Sequence, residues 1–365
     1  MNSRTVASVR DEMQAARTLL EALGTDRSPV SVWTGQAEAW VREWAVAFGL
    51  TRSKVARDRF RKTAAGALAG RVYSTAIDQD RLQTATAWIG WLFLIDDQLD
   101  EGETGRELQL VRDRLRPFIA MAGEMTGRTP VRRLEDGARS VSPAREPSSC
   151  LPLVSALQDI WYRLAGHMTE HWRAVFARHY LGYLSGCEWE AANRGHGRIP
   201  PIHEFVPNRR HAGAIWPSLD LLEYVADAPL PDDVRSHPLL LEARTACADV
   251  VCWSDDLLTV AKERAHGDVH NLVIVLEHQT GCDEPTALQK VVERIASRID
   301  DFDASRERIS ATDLGGHSRD AVDRYIQGLH HWMRGHLDWG LQTIRYDAEA
   351  TLGAPYLEDL LSLGE

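Results

Sequence analysis

The chain has 365 residues, of which 44% are hydrophobic and 26% charged, and its formal net charge is −11. This acidity argues against a nucleic-acid partner, because a phosphate backbone requires a basic surface, and a polyanionic ligand would need bridging metal ions. No stretch approaches the roughly 20 apolar residues that span a bilayer, and the first residues lack the apolar run of a secretory signal. The five cysteines form no CxxC pair, so the sequence predicts a reduced, cytoplasmic protein without a membrane partner.

Helical periodicity runs through most of the chain, whereas alternating β-branched runs and tight hairpin turns are missing. Residues 1–28 are polar and predict a frayed N-terminal segment. Beyond them the pattern predicts helices over 32–50, 52–70, 79–100, 106–122, 151–193, 213–227, 235–265, 267–279, 285–308 and 318–345. Two stretches rich in Gly and Pro, 123–150 and 194–207, interrupt the helices. The sequence therefore predicts an all-α fold in which residues 29–365 form one domain.

An aspartate cluster follows the apolar run of the helix predicted over 79–100. Asp96 and Asp100 are four residues apart and share a helix face, and Asp97 lies about 100° around the helix. Adjacent carboxylates repel each other unless a cation compensates, and Mg²⁺ prefers hard oxygen ligands and often bridges carboxylates to phosphates. The pattern therefore indicates a diphosphate–magnesium site. A solvated helix end is the alternative, since this acidic chain has other aspartate clusters at 232–233 and 300–303.

A second set of oxygen ligands lies in the helix predicted over 235–265. Asp255, Thr259 and Glu263 recur every four residues, so one helix face carries a carboxylate, a hydroxyl and a carboxylate between apolar stretches. This stripe is suited to chelating a hard cation. The alternative is a solvated face on which Asp256, Lys262 and Glu263 form surface pairs. The hydroxyl between two acids favours the metal site.

Together the two stretches resemble the metal-binding motifs of class I terpene cyclases. Residues 96–100 (DDQLD) match the aspartate-rich motif, and residues 255–263 (DDLLTVAKE) match the second motif in its DTE form. The following GDVHNLV (267–273) is similar to bacterial members, and the resemblance covers roughly residues 30–350. It implies a single α-helical bundle of the class I terpenoid synthase type around a central active-site cavity.

The resemblance also implies further site residues. Arg209 stands where the family has a diphosphate-sensing arginine, Ala212 and Gly213 stand at its linker and effector positions, and Arg345-Tyr346 match its C-terminal Arg-Tyr pair. Guanidinium groups suit this role because they grip phosphate as a bidentate fork. For each arginine a surface ion pair is the alternative.

Other side chains are expected around the same cavity. Lys262 would add a point charge, and Phe93 and Trp339 would line the cavity, where aromatic faces stabilise a cation without a basic lone pair. For the two aromatic residues plain core packing is the alternative. Phe205 and His336 depart from the residues that many relatives have, and neither is expected to touch the metal ligands.

The implied reaction is the ionisation and cyclisation of a linear prenyl diphosphate, with three Mg²⁺ ions per active site. Farnesyl diphosphate is the expected substrate, and geranylgeranyl diphosphate is the alternative. A chain-elongating prenyl diphosphate synthase would need a second DDxxD motif where this chain has DDLLTVAKE. A non-catalytic helical binding protein would be expected to have a damaged metal motif. A homodimer is compatible with the sequence, which contains nothing that requires one.

Overall fold

The protein is described here by a computed structural model covering residues 14–15, 17–24, 27–100, 105, 107–126, 151–312, 314, 319–343, 345 and 358–361, with only the backbone of Asp100. All regular elements in this part of the chain are helices, and it contains no strand, which confirms the all-α prediction. None of the described helices has the length and apolar character needed to cross a bilayer. Cys187, Cys247, Cys252 and Cys282 are free thiols, and Cys150 lies outside the described residues.

The main helices, in chain order, are α1 (Thr34–Ala47), α2 (Lys54–Thr63), α3 (Ala65–Val72), α4 (Gln79–Asp100), α5 (Leu108–Thr126), α6 (Pro152–Ala165), α7 (Glu170–His196), α8 (Ile202–Ala212), α9 (Ile215–Val225), α10 (Asp232–Arg235), α11 (Pro238–His266), α12 (Leu272–Thr280), α13 (Glu284–Ala311) and α14 (Arg319–Gly340). The long helix α11 packs against both α13 and α14. Its middle turns, residues 246–254, are buried on every side, which explains why this stretch is mostly apolar around the helix rather than along one stripe. Its one charged side chain, Asp249, accepts hydrogen bonds from Arg210 and Arg298.

Some predicted helices are divided or restart earlier than the sequence suggested. The helix predicted over 52–70 breaks at Ala64, whose φ of 51° is left-handed. The helix predicted over 151–193 breaks before Thr169, whose side chain accepts a hydrogen bond from the backbone of Trp172. The interruption predicted over 194–207 is shorter, since α7 ends at His196 and α8 begins at Ile202. Residues 123–126 belong to α5, and 127–150 lie outside the described residues.

One hydrophobic core joins buried residues from Leu19 to Leu361. This continuity supports the assignment of residues 29–365 to one domain, which stays a prediction. Where the sequence predicted a frayed N-terminus, residues 17–22 are helical, and Leu19 and Leu23 are buried.

Residues 20–28 are tied to the outer face of α14. Arg334 of α14 donates to the backbone carbonyls of Leu20 and Gly24. The backbone N–H of Ser28 donates to Asp338 Oδ2 at 2.8 Å. The described part of the predicted N-terminal segment therefore packs as part of the bundle.

Candidate active site

The helices enclose a cavity of about 190 Å³. Its walls come from α4, α7, the junction of α8 and α9, α11 and α14, together with Arg345 beyond α14. Both acidic motifs contribute to this one cavity, Asp96 from α4 and Asp255, Thr259 and Glu263 from α11. The shared hollow that the sequence interpretation requires is therefore present.

The end of α4 presents Asp96 to the cavity beside an arginine. Arg345 Nη2 lies 3.1 Å from Asp96 Oδ2, and its Nη1 lies 2.8 Å from Asp97 Oδ1, so one guanidinium bridges both carboxylates. The same guanidinium carbon lies 4.3 Å from the centre of the Phe93 ring, which adds a cation–π contact. The predicted C-terminal arginine and the first metal motif thus meet in space.

Asp97 has a different environment from its neighbour. Its side chain is only 4% exposed, compared with 49% for Asp96, and Arg59 Nη2 lies 3.4 Å from its Oδ2. The cavity lining includes Asp96 and omits Asp97. The predicted role of Asp97 as a metal ligand stays a prediction; the geometry places it between two arginines, in the position of an anchor for Arg345.

On α11 the three oxygen-bearing side chains of the second motif stand on one face, as the spacing predicts. Thr259 Oγ1 lies 2.8 Å from Glu263 Oε1 and 2.8 Å from the backbone carbonyl of Asp255. Glu263 Oε2 accepts a hydrogen bond of 2.8 Å from Asn271 Nδ2. The second-motif residues therefore form a contiguous set of hard donors whose orientation is fixed by neighbouring hydrogen bonds.

The electrostatics of this wall fit a bound cation. Burial, and then the negative charges of Asp256 and Asp268, raise the pKa of Glu263 well above its usual range. A cation stabilises the ionised form of a carboxylate in such surroundings, and oxygen ligands select hard ions such as Mg²⁺. The donors are divided between α4 and α11, and the described residues contain no group of three His, Cys, Asp or Glu side chains gathered in metal-holding geometry. The donor set thus suits Mg²⁺ ions shared between two walls.

The guanidinium group of Arg209, on α8, forms two hydrogen bonds with the second motif. Its Nε donates to Asp256 Oδ1 at 2.8 Å and its Nη2 donates to Asp255 Oδ2 at 2.9 Å. Asp256 is fully buried, and its other oxygen accepts the backbone N–H of Leu272 at 3.0 Å. Burial raises the pKa of Asp256 to about 6 although Arg209 opposes that rise. Asp256 is therefore an internal anchor for Arg209 rather than a member of a solvated surface pair.

The junction between α8 and α9 brings the backbone close to this arginine. A Cβ on Gly213 would lie 2.9 Å from Arg209 Nη1 and 3.3 Å from Cys252 Sγ, so only glycine fits without displacing them. Ala214 follows with a left-handed φ of 51°. Pro217, four residues after Gly213, has no N–H to continue the helical hydrogen-bond ladder. Within the described residues the Gly213 carbonyl accepts no hydrogen bond, so an unpaired acceptor stands at the cavity wall.

The aromatic part of the cavity contains the pair predicted from sequence. Phe93 and Trp339 stack with ring centroids 5.7 Å apart and an interplanar angle of 13°. Both line the cavity and also pack in or against the hydrophobic core, so their role toward a bound cation stays a prediction. Phe205 is fully buried in the core. The expectation that His336 avoids the metal ligands is wrong, because its Nε2 lies 3.5 Å from Asp255 Oδ1.

Some cavity residues were given no role by the sequence reasoning. Asp268 and His270, in the loop between α11 and α12, line the cavity, and His270 Nδ1 lies 2.7 Å from Asp268 Oδ1. Asn271 caps α12 and also binds Glu263. In the sequence they belong to the GDVHNLV stretch, whose only signal is its likeness to bacterial members of the family.

Most residues of the predicted site line the cavity. The predicted residues that line the cavity are Phe93, Asp96, Arg209, Ala212, Gly213, Asp255, Thr259, Lys262, Glu263, Trp339 and Arg345. The side chain of Asp100, and the whole of Tyr346, lie outside the described residues. The functional roles of all these residues stay predictions.

Comparison with known proteins gives consistent likenesses. The family model described as terpene synthase family 2, C-terminal metal binding, matches residues 87–301. A (+)-T-muurolol synthase ((2E,6E)-farnesyl diphosphate cyclizing) of Roseiflexus castenholzii is 32% identical over 303 residues, covering 83% of this chain and 86% of that protein. A (−)-delta-cadinene synthase of Streptomyces clavuligerus is 35% identical over 285 residues, covering 77% of this chain and 80% of that protein.

Among solved structures, the germacradien-4-ol synthase from Streptomyces citricolor superposes with a TM-score of 0.73 at 23% identity. The match covers 87% of this chain and 97% of that one. At this identity the likeness concerns the fold, and it agrees with the helical bundle described above.

Proposed function

This chain belongs to terpene synthase family 2, and from that premise we propose that it converts (2E,6E)-farnesyl diphosphate into a cyclic sesquiterpene and diphosphate. It is accordingly a carbon–oxygen lyase acting on a prenyl diphosphate. The observation that carries the proposal is that Asp96 of α4 and Glu263 of α11 line one cavity. The choice of a C15 substrate is supported by the T-muurolol synthase relative, whose name specifies cyclisation of farnesyl diphosphate.

The metal ligands in this proposal are Asp96 with Asp100 on one wall, and Asp255, Thr259 and Glu263 on the other, holding three Mg²⁺ ions per site. When bound, Mg²⁺ neutralises the diphosphate and stabilises the negative charge that develops on it as the carbon–oxygen bond breaks. The contribution of the chain is to keep the donors in place. Asn271 does so for Glu263 through the hydrogen bond to Oε2.

The arginines supply fixed positive charge for the leaving group. Arg209 donates from Nε and Nη2 to Asp256 and Asp255, and the residue also lines the cavity. Because Asp256 is buried and also held by Leu272, the guanidinium is oriented before substrate binds. Such preorganised donors stabilise charge at no cost in reorganisation during the reaction.

The remaining lining must hold a carbocation without reacting with it. The stacked Phe93 and Trp339 offer ring faces, and Ile89, Leu92 and Val251 add apolar surface that excludes water. Burial raises the pKa of Cys252 to about 12, so this lining thiol stays protonated and supplies no thiolate to trap the cation. The unpaired carbonyl of Gly213 directs partial negative charge toward the first cation.

The proposal is tested with the geranyl, farnesyl and geranylgeranyl diphosphates, each incubated with the protein and Mg²⁺ and analysed by gas chromatography–mass spectrometry. We expect a cyclic C15 product from farnesyl diphosphate without any second substrate. A lengthened diphosphate formed only when isopentenyl diphosphate is added would overturn cyclisation in favour of chain elongation. Failure to consume all three substrates would overturn the enzymatic proposal. The cytoplasmic location and a homodimer stay predictions.

A further inference from the structure

A buried imidazole at the cavity wall has one nitrogen that the protein leaves without a partner. The His270 side chain is only 2% exposed and lines the cavity. Within the described part of the chain, its Nε2 has no hydrogen-bond partner. A buried polar atom without a partner costs free energy, so native structures usually satisfy it with a protein group, water or a ligand.

The ring is held firmly by the opposite nitrogen. His270 Nδ1 lies 2.7 Å from Asp268 Oδ1, which also accepts the backbone N–H groups of Val269 and His270. Asp268 Oδ2 accepts Arg194 Nη1 at 2.9 Å. Although burial would raise the pKa of Asp268, the hydrogen bonds from His270 and the charge of Arg194 hold it well below its usual value. Asp268 is therefore ionised, and Nδ1 is the donor in this pair.

The loop that carries His270 is joined to the second metal motif. Asn271, the next residue, donates to Glu263 Oε2 at 2.8 Å. Lys262, Glu263 and His270 all line the same cavity. An anion held against this motif would therefore lie in the cavity that His270 lines.

We propose that His270 donates a hydrogen bond from Nε2 to the diphosphate group of the bound substrate, with Asp268 as its positioning residue. The inference rests on the proposed function, which places a prenyl diphosphate in this cavity. Because the Asp268 carboxylate holds the ring through Nδ1, Nε2 is the nitrogen that remains for a diphosphate oxygen. The residue thereby adds a charge-assisted donor to those of Arg209 and Arg345.

Two substitutions separate the two nitrogens of the ring. His270→Asn places an amide N–H near the position of Nδ1, so it can keep the bond to Asp268 while it lacks the distal donor. His270→Gln instead reaches the position of Nε2. We expect the Kd of inorganic diphosphate in the presence of Mg²⁺, measured calorimetrically, to rise roughly tenfold in His270→Asn. In His270→Gln we expect it to stay within about threefold of wild type. His278→Asn, at an exposed position on α12, is the matched control and should leave the Kd unchanged.

A spectroscopic measurement distinguishes direct contact from a structural role. In wild-type protein labelled with ¹⁵N-histidine, Mg²⁺ with inorganic diphosphate should shift the Nε2 resonance of His270 and leave that of His278 in place. If His270→Asn binds diphosphate as wild type does, or if the Nε2 resonance does not move, the inference is wrong. Weaker binding by both variants with a shifted Nε2 resonance supports it and shows that a glutamine amide does not replace the imidazole.

The same experiments distinguish failure of this inference from failure of the proposed function. Wild-type protein that cyclises farnesyl diphosphate while His270→Asn keeps its Kd would refute only the role of His270. Wild-type protein that binds diphosphate through His270 but converts no prenyl diphosphate would refute the proposed function and leave the binding contact standing.

Discussion

Asparagine substitutions at the two neighbouring aspartates of α4 should separate chemistry from folding. Asp96 lines the cavity and is 49% exposed, whereas Asp97 is 4% exposed and faces both Arg345 and Arg59. We expect Asp97→Asn to lower the stability of the protein. We expect Asp96→Asn to fold normally and to lose turnover.

The magnitudes follow from burial. Removing one partner of a buried ion pair costs about 3–5 kcal/mol, because the other charge is left uncompensated. Arg345 retains its contact with Asp96, so the lower end, about 3 kcal/mol, applies to Asp97→Asn. At roughly 2 °C per kcal/mol this corresponds to a fall in Tm of about 6 °C. For the half-exposed Asp96, solvent screening limits the loss to about 1 kcal/mol or less. Loss of one preorganised charge-stabilising element should nevertheless reduce kcat by ~10²-fold.

Thermal unfolding in EDTA measures the stability of each variant, and steady-state turnover of farnesyl diphosphate with Mg²⁺ measures its activity. Asp323→Asn serves as the control, because its ion pair with Arg319 lies on the surface, where Asp323 is 56% exposed. This control should change neither quantity. A wild-type Tm for Asp97→Asn, or a Tm for Asp96→Asn as low as the one expected for Asp97→Asn, would refute this division of roles.

Two further predictions concern the junction and the second motif. Pro217→Ala restores an N–H four residues after Gly213, and this N–H can donate to the Gly213 carbonyl. We expect kcat to fall about tenfold and the product mixture, measured by gas chromatography, to change. An unaltered kcat and product mixture would contradict the role of that carbonyl. Because burial raises the folded-state pKa of Glu263 above its ordinary 4.5, and that of Asp256 to about 6, the protein in EDTA should lose stability as pH rises through these values. Adding Mg²⁺ with diphosphate should raise Tm by a larger amount at the upper end of this pH range. In Glu263→Gln the fall of Tm with pH, measured by thermal scans in EDTA, should be shallower. A fall of Tm with pH as steep as that of wild type would contradict this account.

The parts of the fold that depend on local periodicity were predictable from the sequence. The helix predicted over 79–100 is α4, with the same bounds, and the spacing of Asp255, Thr259 and Glu263 does place them on one face. The break at Ala64 was not predictable, because alanine carries no turn signal and rarely adopts a left-handed backbone such as its φ of 51°. The restart at Ile202 was hidden by the prolines around it.

The contacts between distant segments could not be read from the chain. Helical spacing puts Asp97 about 100° from Asp96, but only the packing of α4 shows that this direction points to Arg59 and Arg345. The 3.5 Å approach of His336 to Asp255 likewise joins residues on α14 and α11. The GDVHNLV stretch was visible as a pattern, yet the unpaired Nε2 of His270 is a property of the folded cavity.

The hydrogen bonds between residues 20–28 and the outer face of α14 have a practical consequence for expression and engineering. Trp339 and His336 of this helix line the cavity. On its outer side, Arg334 and Asp338 form hydrogen bonds with the backbone of Leu20, Gly24 and Ser28. Trimming the chain to residue 29 would remove these hydrogen bonds. We expect such a truncation to change the product mixture through α14, although residues 20–28 do not line the cavity.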